Sequence, residues 1–267
     1  MAARRLSGFI FLVAAVLVGA ILYDALSGGG NPAAPLPPPV PDSALTPRLS
    51  RMPPPAAPTA SQGATVQPGE ADHYMDQLAR SETRRQIRAS AEITYLNEIL
   101  ANGPDSMLHR WDNRIADPVR VWLSPGTAAN YQPAFLDAVR AAFARWRDVG
   151  VPVRFDVSVD STNAEVVFKW RVQFDLDRTG QTDLTWDQDG HLESGVVTLA
   201  TFNQLGQPMG PDDIRVVALH EIGHLIGLDH SPDSTDLMYP VAKVRELSGR
   251  DIQTALLLYR LSPGSIR

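Results

Sequence analysis

Residues 217–240 read VALHEIGHLIGLDHSPDSTDLMYP. Three of the chain's six histidines, His220, His224 and His230, crowd into this stretch. The first two stand four residues apart inside IRVVALHEIGHLIGL (214–228), a run that is apolar on nearly every side. Asp212 and Asp213 precede it, where the positive end of a helix dipole favours acids, so the pattern predicts a core helix. At about 100° per residue, side chains four apart lie on one face, one turn above the other. Two neutral imidazoles so placed can reach one cation. Glu221 projects beside that cation without being well placed as a third ligand on the same face.

Gly227 completes the geometry. Glycine accepts left-handed dihedrals, so it can end the helix and reverse the chain. A continuing helix would carry residue 230 about 9 Å further along the axis than residue 224, too far to share an ion. After a reversal at Gly227, His230 can return as the third ligand. Three protein ligands with one open position describe a catalytic zinc site. A bare H-E-x-x-H is a modest signal, but H-E-x-x-H-x-x-G-x-x-H fixes five identities and is a metalloprotease pattern. Two surface histidines beside a solvated glutamate would be the bland alternative, and the apolar flanks oppose it.

Upstream, VRVWL (119–123), VRFDVSV (153–159), AEVVFKW (164–170), TDLTW (182–186) and GVVTLAT (195–201) read as strands. Between the first two, Pro133 opens a helix with Phe135, Leu136, Val139, Phe143 and Trp146 at helical spacing, ended by Gly150. Residues 70–104 form a mostly polar one- or two-helix segment, stopped by Asn102-Gly103-Pro104, which suits a stalk, a docking helix or a pro-segment. Residues 24–69 are rich in proline and short of large apolar side chains, and read as a semi-rigid linker.

The amino end is distinct. Residues 1–5 include Arg4 and Arg5, and 6–23 (LSGFIFLVAAVLVGAILY) contain no charge. As a helix this run rises about 27 Å, close to a bilayer's hydrocarbon thickness. The flanking arginines place residues 1–5 in the cytoplasm and everything after residue 24 outside it. A single-pass anchor is the expectation; a signal peptide cleaved after Val18-Gly19-Ala20, which would release a secreted protein, is the alternative.

Composition narrows the chemistry. The net charge is −6 and no basic face is evident, so nucleic acid is not an expected partner. With no cysteine, disulfides, thiolate ligands and cysteine nucleophiles are excluded. Asp175, Asp177, Asp183, Asp187 and Asp189 are dense, but no calcium loop of known spacing is present, so Ca²⁺ has no support beyond that density.

HEIGHLIGLDH, Ser231 directly after it, and LMYP at 237–240 together resemble the metzincins, and within them the matrixins; the likeness extends over about residues 105–261 of a catalytic domain at 105–267. The resemblance implies an α+β catalytic domain: a twisted five-stranded mixed sheet, two long helices, and a small C-terminal subdomain after the third histidine. SGRDIQTALLLY (248–259) matches the closing helix, with Ser248 as its cap. Met238 takes the Met-turn position beneath the ligands, and Tyr239 and Pro240 the wall of the specificity pocket. Two departures stand out. The missing cysteine rules out thiol latency, leaving Asp105, His109 or Asp112 as alternatives or as plain surface residues. Only His191 lies where many animal matrixins hold a second zinc.

The expected function is a membrane-anchored zinc endopeptidase acting on extracytoplasmic polypeptides. His220, His224 and His230 hold one Zn²⁺, and Glu221 is the general base toward a zinc-bound water. A tethered binding module with an inert zinc, or an envelope spacer that inherited the fold, are the rivals from other classes.

Overall fold

The computed structural model describes residues 68–102, 107–175 and 177–266. In chain order the elements are α1 (Pro68–Ala89), α2 (Leu96–Asn102), β1 (Met107–Leu108), β2 (Arg114–Leu123), α3 (Ala134–Arg147), β3 (Val153–Asp156), β4 (Val166–Arg171), β5 (Gly180–Trp186), β6 (Leu192–Ala200), α4 (Pro211–Leu225), α5 (Gly249–Leu258) and β7 (Gly264–Ser265). The five-stranded sheet runs β3-β2-β4-β6-β5. Its pairings are parallel except at β5, which runs antiparallel to β6 along one edge. This is the five-stranded mixed sheet that the resemblance to the matrixins implied.

Period-2 alternation sets its inner face. Val119, Val121 and Leu123 of β2, Val166 and Phe168 of β4, and Val197 and Leu199 of β6 are buried. They share one core with Phe135, Val139, Phe143 and Trp146 of α3 and with Ile214, Leu219 and Ile222 of α4. Two expectations change in detail. The strand begun at Val153 stops at Asp156, because the Asp156 carboxylate accepts the Ser158 amide at 3.0 Å and turns the chain. The strand read over 119–123 extends back to Arg114, with a register shift between Arg114 and Val119 around Pro118, which has no N–H to give.

The polar segment before residue 105 forms α1 and α2, and the core continues into it through Ile87, Tyr95, Leu96 and Leu100. At the other side of that junction β1 pairs antiparallel with β7, joining residues 107–108 to 264–265. The apolar run 6–23 and nearly all of the proline-rich linker lie outside the described residues. Among the described residues no helix is long and apolar enough to cross a membrane.

The end of α4 decides the rest of the chain's path. Gly227 has φ +103°, the Gly227 amide donates to the His224 carbonyl at 2.9 Å, and the Leu228 amide to the Gly223 carbonyl at 3.0 Å. That is a Schellman turn. The remaining terminal carbonyls meet aromatic donors. The Trp111 indole N–H reaches Leu225 O at 2.8 Å, and the Tyr259 hydroxyl reaches Ile226 O at 3.0 Å. A Cβ at Gly227 would lie 2.0 Å from the His109 carbonyl oxygen. Gly227→Ala therefore combines left-handed strain with a backbone overlap. It should lower unfolding free energy by roughly 2 kcal/mol or more, read by chemical denaturation of the metal-free protein.

Candidate metal centre and active site

His220, His224 and His230 converge as the sequence pattern requires. One ring nitrogen from each lies within 4.8 Å of the others, and among the described residues they are the only group of three or more His, Asp or Glu side chains so placed. The His220 and His224 Nε2 atoms are 3.2 Å apart. A tetrahedral ion bound at about 2.0–2.1 Å would set its nitrogens about 3.3 Å apart, so the spacing fits zinc. The outward nitrogens are occupied. His220 Nδ1 lies 2.8 Å from Leu237 O and His224 Nδ1 lies 2.8 Å from Leu228 O. Donation to those carbonyls fixes the tautomer that leaves Nε2 free as a ligand. Burial holds the His220 imidazole down to about 4, and pushes His224 and His230 below the usual histidine range too. All three are neutral at pH 7, the form that binds metal.

The carbonyl that orients His220 belongs to the turn containing Met238. That methionine is fully buried, and its carbonyl accepts the Ser231 amide at 2.9 Å, tying the residue after the third histidine to the turn. The Ser231 hydroxyl donates to Asp236, itself buried. Asp251 Oδ2 accepts the Leu237 amide at 2.8 Å from below. Asp251 is also the N3 residue of the capping box opened by Ser248, and nothing in the sequence marks its contact with the turn.

The Glu221 carboxyl meets β5. Its Oε2 accepts the Thr182 hydroxyl at 2.6 Å, and a Cβ at Gly180 would lie 2.3 Å from Oε1. Gly180 and Thr182 are two apart on a strand, so both face the carboxylate. Burial raises the Glu221 carboxyl to about 7, against the lowering effects of Thr182 and Arg178. Neither Gly180 nor Thr182 was legible in advance, since only the folded sheet brings β5 against α4.

Tyr239 and Pro240 lie on the rim of the turn. Tyr239 is half-buried with the Lys243 ammonium 5.3 Å from its ring centre, and Pro240 is exposed. A cavity of about 320 Å³ opens nearby along α4, lined by Val216, Val217, Met209, Asp213, Ala242 and Arg245 among others, rather than by those two residues. The acidic residues of the 175–191 region do not converge on a calcium site among the described residues. Asp187 instead accepts the amides of Asp189 and His191, both at 2.9 Å. His191 lies between two carboxylates, 3.1 Å from Asp187 and 3.2 Å from Asp112. His109 packs on the Trp186 ring at 4.4 Å and is not in the three-histidine group. Asp105 lies outside the described residues.

With this geometry in hand, the comparisons with known proteins agree on one family. The matrixin family model matches residues 120–260, more than half of the chain. Metalloendoproteinase 1-MMP of Arabidopsis thaliana is 29% identical over 137 residues, 46% of this chain and 37% of that protein. Metalloendoproteinase 1 of Glycine max is 28% identical over 142 residues, 48% of this chain and 47% of that protein. The chain thus spans less than half the length of these curated relatives. The matched segment runs from the second strand of the sheet through the three histidines to the closing helix, and the chain belongs to the matrixin family.

Proposed function

We propose that the protein is a zinc-dependent endopeptidase that hydrolyses peptide bonds in polypeptide substrates, with His220, His224 and His230 as the ligands and Glu221 as general base. The observation that carries this reading is the convergence of three neutral imidazoles, two of them oriented by backbone carbonyls, beside a buried carboxyl poised at about 7. A bound zinc ion supplies Lewis acidity, polarising the scissile carbonyl and acidifying water.

The chain's own residues do the rest. Glu221 takes a proton from water and returns it to the leaving amine; an acid titrating near neutrality can do both. The Thr182 hydroxyl holds one carboxylate oxygen, and the missing side chain at Gly180 leaves room for the other. β5 is an edge strand, so its outer backbone groups can pair with an extended substrate by strand addition. Met238 and the Leu237 carbonyl support the ligands from beneath. The apolar run 6–23, preceded by Arg4 and Arg5, supports tethering to a membrane with the catalytic domain on the extracytoplasmic side. Carbonate extraction of membranes with amino-terminal sequencing tests this. A soluble protein beginning just after Ala20 would replace the anchor with a cleaved signal.

Glu221→Ala should retain stoichiometric zinc while kcat for a peptide falls about a hundred- to ten-thousandfold. Retained turnover would remove Glu221 from the mechanism, and chelator-insensitive turnover would remove the metal. Thr182→Val, which deletes the hydroxyl and little volume, should lower kcat about tenfold with zinc content unchanged, whereas Thr182→Ser should not.

The metal-free protein carries a pH signature. His220 titrates near 6.5 unfolded and about 4 folded. Its contribution to stability is therefore complete above about 6.5 and is lost as pH falls through about 4, a change of roughly 3 kcal/mol. Glu221 has the opposite sign, because its folded value of about 7 lies above the unfolded 4.5. Its contribution is present below 4.5 and lost as pH rises through about 7. Metal-free Glu221→Gln isolates the histidine effect, and its denaturation midpoint should fall between pH 6.5 and 4. A flat profile there would contradict neutral burial of His220.

A further inference from the structure

Tyr95 is fully buried at the junction of α1 and α2, ahead of the segment that the family model matches. Its hydroxyl donates to Asp251 Oδ1 at 3.0 Å, across 156 residues of chain. Its amide donates to Thr254 Oγ1 at 3.1 Å. The Arg250 guanidinium lies 5.6 Å from the centre of its ring and reaches the Thr94 carbonyl at 3.4 Å. Three consecutive features of this short segment, the Thr94 carbonyl, the Tyr95 amide and the Tyr95 side chain, are thus engaged by one face of α5.

Asp251 passes the contact on. Its Oδ2 accepts the amides of Leu237 and Ser248, both at 2.8 Å, and its Oδ1 faces the Met238 amide at 3.4 Å. Leu237 then presents its carbonyl to His220 Nδ1 at 2.8 Å. Three hydrogen bonds, joined through the Asp251 carboxylate and the backbone of Leu237, lead from Tyr95 to a candidate ligand ring: tyrosine hydroxyl to aspartate, Leu237 amide to aspartate, and His220 imidazole to the Leu237 carbonyl. Asp251 is fully buried and no disulfide is available to hold its surroundings. A buried carboxylate needs each of its lone pairs met, and Tyr95 meets one of them.

We propose that Tyr95 is a positioning residue of the metal centre, and that the helical segment Pro68–Asn102 is a retained part of the working enzyme rather than a removable inhibitory pro-segment. The geometry separates these alternatives. An inhibitory segment must approach the ligand cluster or the cleft along β5. The contacts of Thr94 and Tyr95 are instead with α5, and the buried side chains Ile87, Leu96 and Leu100 belong to the main core. Removing the segment would expose those side chains and leave Asp251 short of a donor beneath the turn. The proposal rests on the metal-centre reading given above.

The test uses the full-length, zinc-loaded protein with Tyr95→Phe, which keeps the ring and deletes the hydroxyl. Zinc transfer to a chromophoric chelator, measured well below the melting temperature, should be about three- to tenfold faster than in the parent, somewhat less than removal of a direct outer-shell partner produces. Peptide turnover should fall in kcat with KM little changed. A lower melting temperature with an unchanged zinc-release rate would make Tyr95 a packing residue only and overturn the proposal. Amino-terminal sequencing of the peptide-cleaving fraction is the second arm and does not depend on the variant folding. It should begin upstream of Ile87, whereas an active form beginning after residue 102 overturns the proposal. Faster zinc release from Tyr95→Phe without turnover by either protein would support the positioning role while refuting the endopeptidase reading.

Discussion

Three imidazoles can converge on one point only if they are neutral, and a neutral imidazole withdrawn from solvent, as His220 and His224 are, still carries one N–H that must find an acceptor. Much of the catalytic half of this molecule answers that requirement. The acceptors for His220 and His224 are backbone carbonyls, of Leu237 and Leu228, supplied by chain that returns to α4 after leaving it. A return that tight needs a left-handed residue, and Gly227 provides it while leaving space for the strand of chain through His109. The carbonyl that serves His224 comes from Leu228, three residues after α4 ends at Leu225, so one Schellman turn both stops the helix and orients its last histidine. Ligand geometry and helix termination are one structural event here.

The same burial acts on Glu221 with the opposite sign. Desolvation drives a histidine toward its neutral base and a carboxyl toward its neutral acid, so neighbouring positions on one helix end with titrations pushed apart, His220 to about 4 and Glu221 to about 7. That ordering suits the chemistry proposed. Ligands that never protonate near neutrality sit beside an acid that exchanges its proton there. Thr182 limits the displacement by stabilising the ionised carboxylate, so the edge strand that would receive substrate also adjusts the base.

Local signals were legible wherever one element carried its own instruction. The i, i+4 histidines, the glycine three residues later, the apolar sides of α4 and the alternation in β2, β4 and β6 each follow from spacing within a dozen residues. The three-histidine cluster follows from them, while the mixed order of the sheet was implied by the resemblance to the matrixins. Strand ends were less legible, because an Asx turn at Asp156 and a proline in β2 outweigh hydrophobic alternation. Thr182, Gly180, Asp251 and Tyr95 could not be read at all. Their roles depend on which element lies across from them, and Tyr95 and Asp251 lie 156 residues apart. A threonine in a strand and an aspartate at N3 look ordinary until the partner is known. Tyr239 and Pro240, placed by resemblance, lie on the rim of the turn, while the nearby cavity is walled by Val216 and Val217 of α4 and by residues of the loops beside it.

A cysteine-free chain must hold its small C-terminal subdomain without covalent links, and its method is consistent. Trp111 caps α4 at Leu225, Tyr259 caps it at Ile226, Tyr95 reaches Asp251, and β1 pairs with β7. Each contact joins residues more than thirty positions apart, and the three aromatic donors are buried. A net gain of about 1 kcal/mol per such hydrogen bond is modest against the entropy of closing long loops. Placed at the ends of α4 and under the Met238 turn, however, the same few bonds restrict the elements that carry the ligands. Stability and ligand alignment then draw on the same interactions, which is why α1 and α2, remote from the imidazoles in sequence, are coupled to them through a single carboxylate.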